Sequence, residues 1–248
     1  MRGDPRRPRA HRERGLSVPL PYYVSPEQMM KDKAEYARKG ISRGRSIVTL
    51  EIRDGILLVA ENPSTLLHKI SEIYDRIAFA GVGKYNEFEN LRIAGIRHAD
   101  IKGYSYSRGD VTAKALANAY SQALGNIFTQ DIKPFEVEVL VAEVADGNHE
   151  SKNEIYHILY DGTIEDEHNY AAMGGQADEI RRFLKESYKE GLSLGDAVQL
   201  GVRALNVTQN KTLTAKDLEV GVLDRNKTQR KFRRLTGDVL TQLLGTVS

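Results

Sequence analysis

One apolar stretch near the front of the chain limits the folds that are open to this sequence. The run Ile56 to Ala60 follows an Asp54-Gly55 turn and is almost continuous in Ile, Leu, Val and Ala. Such a run is typical of a strand that is buried on both faces rather than half exposed to water. The segment Ser46 to Ile52 precedes the turn and predicts the partner strand of a hairpin. A sheet that contains these two strands needs a covering layer on each side.

The rest of the chain alternates groups of strands with pairs of helices. Apolar spacing at three and four residues predicts helices over residues 27–43, from 84 onwards, 111–130, 178–188 and 193–205. Runs with a period of two or a short apolar stretch predict strands at residues 46–52, 56–61, 74–82, 135–142, 155–160, 168–173 and 218–223. Residues 165–167 are expected to form a solvated acidic loop, and the basic stretch 225–235 is expected to precede a short terminal helix. This order indicates an α+β fold, a four-layer αββα sandwich.

Composition excludes several classes of protein. The 248 residues suit one domain of this architecture, and the absence of cysteine excludes disulfides, thiolate metal sites and a cysteine nucleophile. The absence of cysteine fits a reducing compartment. Because no apolar run is long enough to cross a bilayer, we expect no membrane association and a cytoplasmic location.

The charge is concentrated at the N-terminus. The net charge is +2, and residues 1–15 hold six Arg against Asp4 and Glu13, a local +4 that leaves −2 for the remainder. Since the remainder is nearly neutral, no nucleic-acid surface is predicted.

The N-terminal region divides into a tail and a leading helix. Residues 16–24, LSVPLPYYV, contain two prolines and two tyrosines, which predicts an extended segment rather than a helix or a strand. Pro26 then stands where a helix tolerates proline best, at the start of an amphipathic segment. We therefore expect residues 1–24 to be a flexible basic tail and residues 25–248 to be one domain with its leading helix at 26–43.

Several motifs in this order resemble the proteasome subunits, and among them the non-catalytic α type of actinobacteria. They are Ser25-Pro26-Glu27, then Glu35-Tyr36-Ala37-Arg38 ten residues later, then Asp54-Gly55, Glu61 and Lys69. The resemblance continues to about residue 245. It implies a sandwich of the N-terminal-nucleophile hydrolase type, in which a strand, a turn, a second strand ending in an acidic residue and a lysine recur in order.

The attacking group of such a hydrolase is missing here. A threonine peptidase of this type needs its nucleophile at the mature N-terminus, because the free α-amine is the base that takes the hydroxyl proton. Counting back from Asp54 places the nucleophile position near Arg45, with the leading helix upstream of it. Ser46 is internal and lacks a partner base. No catalytic residue is therefore predicted, although a divergent N-terminal-nucleophile peptidase with its own activity stays open as the alternative.

The resemblance implies a structural and regulatory role. Seven copies would form the outer ring of an α7β7β7α7 particle, admit substrates that carry the small ubiquitin-like modifier of actinobacteria, and dock a ring-shaped ATPase or other activator. The terminal carboxylate of the activator's tail would meet Lys69, in a pocket walled by Pro26, Arg38 and Gly81, since a lysine offers a compact cation with three donors. The gate over the pore would be formed by Ser17, Val18, Pro19, Leu20, Pro21, Tyr22 and Tyr23.

The other apparent motifs predict no ligand. Gly81-Val82-Gly83-Lys84 has neither the third glycine of a dinucleotide fingerprint nor a Ser or Thr after the lysine, so it indicates a close-packed turn. The six histidines show no pair at the spacing of helical metal ligands. We expect no metal and no cofactor.

Overall fold

The computed structural model describes residues 24–145, 152–207 and 212–245, which form six α-helices and ten strands. The helices are α1 (Pro26–Ile41), α2 (Tyr85–Ser105), α3 (Ala113–Gln130), α4 (Ala177–Ser187), α5 (Leu194–Asn206) and α6 (Gly237–Gly245). The strands are β1 (Ile47–Ile52), β2 (Gly55–Glu61), β3 (Ile70–Tyr74), β4 (Ile77–Gly83), β5 (Val137–Glu143), β6 (Glu154–Ile158), β7 (Ile164–Glu167), β8 (Tyr170–Met173), β9 (Leu218–Asp224) and β10 (Phe232–Leu235).

The strands form two antiparallel sheets of five. The first sheet has the order β10-β9-β2-β1-β8 and the second has the order β3-β4-β5-β6-β7. The predicted hairpin of β1 and β2 closes where Ile52 faces Gly55. Gly55 has a φ of 149°, and a side chain there would overlap the carbonyl of Leu223 in β9, so only glycine fits this turn. Strand β2 is paired on both edges and is buried along its whole length, as its apolar sequence predicted.

Three apolar clusters separate the four layers. One lies between the first sheet and helices α4, α5 and α6. A second lies between the two sheets, and a third lies between the second sheet and the pair α2 and α3. The predicted αββα sandwich is therefore confirmed. Among the described helices, none has the length and apolar character needed to span a membrane.

Helix α1 is fastened to the sandwich although it lies outside the four layers. Its buried residues Ala37 and Ile41 join the apolar cluster between the sheets. Its Lys33 ammonium donates to the carbonyls of Phe128 and Asp131, at 3.0 and 2.6 Å, where α3 ends. The leading helix is thus an integral part of the fold.

Two sequence expectations about local structure were wrong, and one strand was not predicted. The single strand expected at residues 74–82 is preceded by β3 and shortened, because the charged pair Asp75-Arg76 turns the chain and residues 70–83 form the hairpin β3–β4. The acidic loop expected at residues 165–167 belongs to β7, which pairs with β6. The basic stretch 225–235 precedes the terminal helix α6, as expected, and its last residues form β10, an unpredicted strand that pairs with β9.

Candidate functional site

The candidate site lies where β1 begins and β2 ends. The Lys69 ammonium donates a hydrogen bond of 2.7 Å to the carbonyl oxygen of Arg45, the residue at the predicted nucleophile position. The Arg45 guanidinium lies 3.1 Å from the Glu61 carboxylate at the end of β2. The three residues that sequence order relates to a hydrolase site therefore form one cluster, in which a backbone carbonyl takes the place of a nucleophile beside the lysine.

Burial makes the Lys69 amine easier to deprotonate than an ordinary lysine. Loss of solvent lowers the pKa of Lys69 to about 8, although the charges of Glu61 and Glu219 favour the protonated form; the Arg45 charge lowers it further. An arriving carboxylate would stabilise the ammonium by direct charge attraction. Binding of a terminal carboxylate by Lys69 stays a prediction.

The loop of residues 62–69 that carries Lys69 is shaped by its own side chains. The Asn62 side chain accepts a hydrogen bond from the Ser64 amide at 3.1 Å and donates to the Leu67 carbonyl at 2.6 Å. The Ser64 hydroxyl accepts from the Leu67 amide at 3.0 Å. Leu66, at the tip, is 85% exposed. Sequence reasoning did not identify Asn62 or Ser64, although Asn and Ser flanking a proline are a recognised turn signal.

Of the residues predicted to wall the pocket, Gly81 lies beside Lys69. The Gly81 amide donates to the Lys69 carbonyl at 3.0 Å across the β3–β4 pair. A side chain at Gly81 would collide with the ring of Phe88 in α2, with the nearest ring carbon at 2.7 Å. The glycine is therefore explained by helix packing on the sheet, and its part in a pocket stays a prediction.

The other two predicted pocket residues are placed by α1. Arg38 stacks over the ring of Tyr160, 5.7 Å from its centroid. Pro26 opens the 16-residue helix, whose far end, Ile41, leads to Arg45. At 1.5 Å per residue the helix spans roughly 22 Å between these ends. Within one chain, Pro26 therefore begins α1, whereas Lys69 contacts Arg45, which follows the other end of the helix.

The predicted gate, residues 17–23, lies outside the described residues. The described chain begins at Val24, directly before the Ser25 cap of α1.

A buried histidine cluster is the only group of potential metal ligands among the described residues. Ligand atoms of His157, Glu165 and Glu167 lie within 4.8 Å of one another. Arg181 of α4 already fills this cluster, because one guanidinium nitrogen lies 3.0 Å from the Glu167 carboxylate and 3.3 Å from His157 Nδ1. Burial alone would lower the pKa of His157, but hydrogen bonds to Glu138 and Glu165 raise it to about 9. A protonated imidazole is not a metal ligand, so the cluster acts as an ion network that ties β7 to α4.

Comparison with known proteins agrees with this arrangement. A sequence model of the family described as proteasome subunit matches residues 41–223. A protein of Thermomonospora curvata named proteasome subunit alpha is 58% identical over 226 residues, which cover 91% of this chain and 97% of that protein. Proteins with the same name from Kineococcus radiotolerans and Frankia alni are 57% and 56% identical, and the matches cover 90% of this chain and 97% and 95% of those proteins.

The family match begins at the end of α1 and runs through β9, so it includes the whole Lys69 cluster and both sheets. The matches to the actinobacterial proteins extend over about nine tenths of the chain. The chain therefore belongs to the proteasome subunit family and is similar, along nearly all of its length, to the alpha subunits of actinobacteria.

Proposed function

We propose that this chain is a non-catalytic α subunit that forms the outer heptameric ring of an α7β7β7α7 particle in the cytoplasm. In this role it gates the entry of substrates that carry a small ubiquitin-like modifier, and it docks a ring-shaped ATPase or other activator through Lys69. The observation that carries the proposal is the hydrogen bond from the Lys69 ammonium to the Arg45 carbonyl. It supports the proposal because the lysine lies beside Arg45, the predicted nucleophile position, and Arg45 has no hydroxyl group.

The chain that precedes β1 supports the proposed absence of catalysis. Arg45 has no hydroxyl group, and its nitrogen is part of a peptide bond to the turn that follows α1. Liberating an α-amine there would remove α1 and would uncover the inter-sheet cluster, in which Ala37 is fully buried. Ser46 is buried, and its carbonyl accepts from the Glu61 amide at 3.2 Å. These features support a partner β subunit as the carrier of the catalytic threonine.

Exposed apolar surface beside α1 supports assembly into a ring. A groove of about 770 Å³ runs along the helix and the loop that follows α3. It is lined by Met29, Tyr36 and Ile132, and Ile132 is 97% exposed. Exposed apolar groups grouped in one place mark interaction surfaces in soluble proteins. In the proposed ring, a neighbouring copy of this chain would cover the groove.

The placement of the pocket residues is consistent with docking between two copies. Pro26 and Lys69 belong to opposite ends of α1, so a pocket that contains both draws each residue from a different subunit. Arg38 and Gly81 remain the proposed neighbours of the bound tail, and residues 17–23 remain the proposed gate.

Substitution of Lys69 tests the docking function. In a particle co-assembled with a β subunit, we expect Lys69→Ala to weaken binding of an activator tail by about 10- to 100-fold, since a hydrogen bond to a charged group contributes about 1.5–3 kcal/mol. Activator-dependent proteolysis should fall, while hydrolysis of short peptides by the particle should persist. Lys185→Ala, at an exposed lysine of α4, is the matched control. Unchanged tail binding by the Lys69→Ala particle would refute the docking role.

A further inference from the structure

A buried carboxylate that sequence reasoning did not identify lies beneath the Lys69 loop. Glu219 of β9 is only 9% exposed, and its side chain reaches from the first sheet to the start of β3 in the second. Its Oε2 accepts hydrogen bonds of 2.8 Å from both the Lys69 amide and the Asn62 side chain. Its Oε1 accepts from the Ile70 amide at 3.3 Å. One side chain therefore holds both ends of the loop.

The side chains of Arg234 and His68 complete the surroundings of Glu219. Arg234 of β10 donates to Glu219 Oε1 and, through its other nitrogen, to the Ile70 carbonyl. His68 Nδ1 lies 3.2 Å from the same carboxylate oxygen. Hydrogen bonds between ionised partners are about twice as strong as neutral ones, so the carboxylate is a firm anchor.

This anchor fixes the backbone from which the Lys69 ammonium extends. The Lys69 amide donates a hydrogen bond to Glu219, and the Lys69 carbonyl accepts one of 3.0 Å from the Gly81 amide. Both backbone polar groups of Lys69 are therefore hydrogen-bonded. The ammonium can then reach the Arg45 carbonyl from a fixed starting point. A group held in place before binding loses less conformational entropy when the ligand arrives.

We propose that Glu219 is a positioning residue for carboxylate recognition by Lys69, and this inference rests on the docking function proposed above. The role needs both the charge and the two acceptor oxygens. Glu219→Gln replaces one acceptor by an NH₂ group that would face N–H donors on either side, and it leaves the Arg234 guanidinium without a counter-charge. The loop would lose its anchor while the apolar layers of the sandwich keep their packing.

The test compares two forms of one peptide on the assembled particle. A peptide with the sequence of an activator tail is prepared with a free C-terminal carboxylate and with a C-terminal amide, and the ratio of the two Kd values is measured. In the wild type we expect the free acid to bind about 10- to 100-fold more tightly. In Glu219→Gln the ratio should fall by about fivefold or more. A purely structural role would weaken both forms alike and leave the ratio unchanged.

Glu143→Gln is the matched control. Glu143 is also a buried carboxylate, and it accepts from the Ala113 amide at 2.6 Å and from Arg76, in contacts that do not include the Lys69 loop. Its substitution should leave the ratio at the wild-type value. Glu219→Asp keeps the charge on a side chain one methylene shorter, so its ratio should lie between those of the wild type and Glu219→Gln.

The outcomes separate this inference from the docking proposal. If the ratio of the two Kd values stays at the wild-type value in Glu219→Gln but falls to near one in Lys69→Ala, the positioning role alone is overturned. A wild-type ratio in Lys69→Ala would overturn the docking function and the positioning role with it. Should Glu219→Gln fail to assemble, Glu219→Asp decides the matter, because a wild-type ratio in that variant would also contradict the proposal.

Discussion

At the scale of single residues, the lowered pKa of Lys69 gives tail binding a dependence on pH. Its pKa is about 8, whereas the terminal carboxylate of a peptide is ionised throughout the neutral and alkaline range. In the proposed docking role, binding requires the protonated amine, so we expect affinity to be nearly full at pH 7, to fall to about half at pH 8 and to decline further above it. For a single titrating group we expect the Kd of a tail peptide to rise about tenfold between pH 7 and pH 9.

Lys69→Arg is the control for this pH dependence, because a guanidinium stays charged throughout that range. The Lys69→Arg particle should bind the peptide more weakly, since a planar fork replaces a point charge. Its Kd should not change between pH 7 and pH 9. Isothermal titration of the assembled particle measures both curves. Equal slopes for the wild type and Lys69→Arg would show that another group is responsible.

Residues of the candidate site differed in how far the sequence could reveal them. Glu61 and Lys69 could be named because the resemblance to proteasome subunits places an acidic residue and a lysine in a fixed order after one turn. Glu219 could not, because it lies 150 residues from Lys69 and meets it only once the two sheets face each other. The sequence also could not show that Pro26 and the Lys69 cluster lie at different ends of α1, since this depends on how the helix packs on the sandwich.

At the scale of elements, the pair α2 and α3 depends on one close approach. Gly95 of α2 faces Tyr120 of α3, and a methyl group at Gly95 would overlap the tyrosine hydroxyl. Tyr120 is 3% exposed, and its hydroxyl has no hydrogen-bond partner among the described residues. Overpacking of a core costs about 1–3 kcal/mol, while alanine gains up to about 1 kcal/mol over glycine in a helix. We therefore expect Gly95→Ala to lower the free energy of unfolding by about 1–2 kcal/mol in urea denaturation.

Tyr120→Phe provides the second arm of that experiment. Removing a buried hydroxyl that has no partner should change stability little or raise it slightly. In the Tyr120→Phe background, Gly95→Ala should cost less than in the wild type, because the overlapping oxygen is gone, while the ring carbon Cζ at 2.7 Å must still shift. A double-mutant cycle isolates this coupling. The same cost in both backgrounds would mean that the helices separate by moving their backbones.

The elements that the sequence predicted well are those whose own pattern of apolar residues shows which faces are buried. Strand β2 and helix α3 carry continuous or regularly spaced apolar residues, and both were predicted within a few positions. Strand β7 was missed because its charged residues are stabilised by side chains of other elements. His157 of β6 lies 3.3 Å from Glu165, and Arg181 of α4 lies 3.0 Å from Glu167.

At the scale of the whole molecule, ion networks join the two sheets at both edges. Arg234 of β10 links the first sheet to β3, and Arg181 of α4, which covers the first sheet, links it to β7. The interior between the sheets is apolar, so these polar contacts lie at the edges of the sheets. The Lys69 loop lies at one of these edges, and the end of helix α1 leads to Arg45 beside it.

The final prediction concerns reactivity toward an inhibitor that requires a hydroxyl next to a free α-amine. The purified chain should form no covalent adduct with such an electrophile and should not hydrolyse peptides, because Arg45 offers neither group. After co-expression with a β subunit, intact-mass spectrometry should show the adduct on the β chain alone. Substituting the N-terminal threonine of the β chain should abolish both adduct and activity, while Ser46→Ala in this chain should leave them unchanged. An adduct on this chain would instead establish it as a divergent peptidase, because the inhibitor can bond only to a nucleophile that the chain itself supplies.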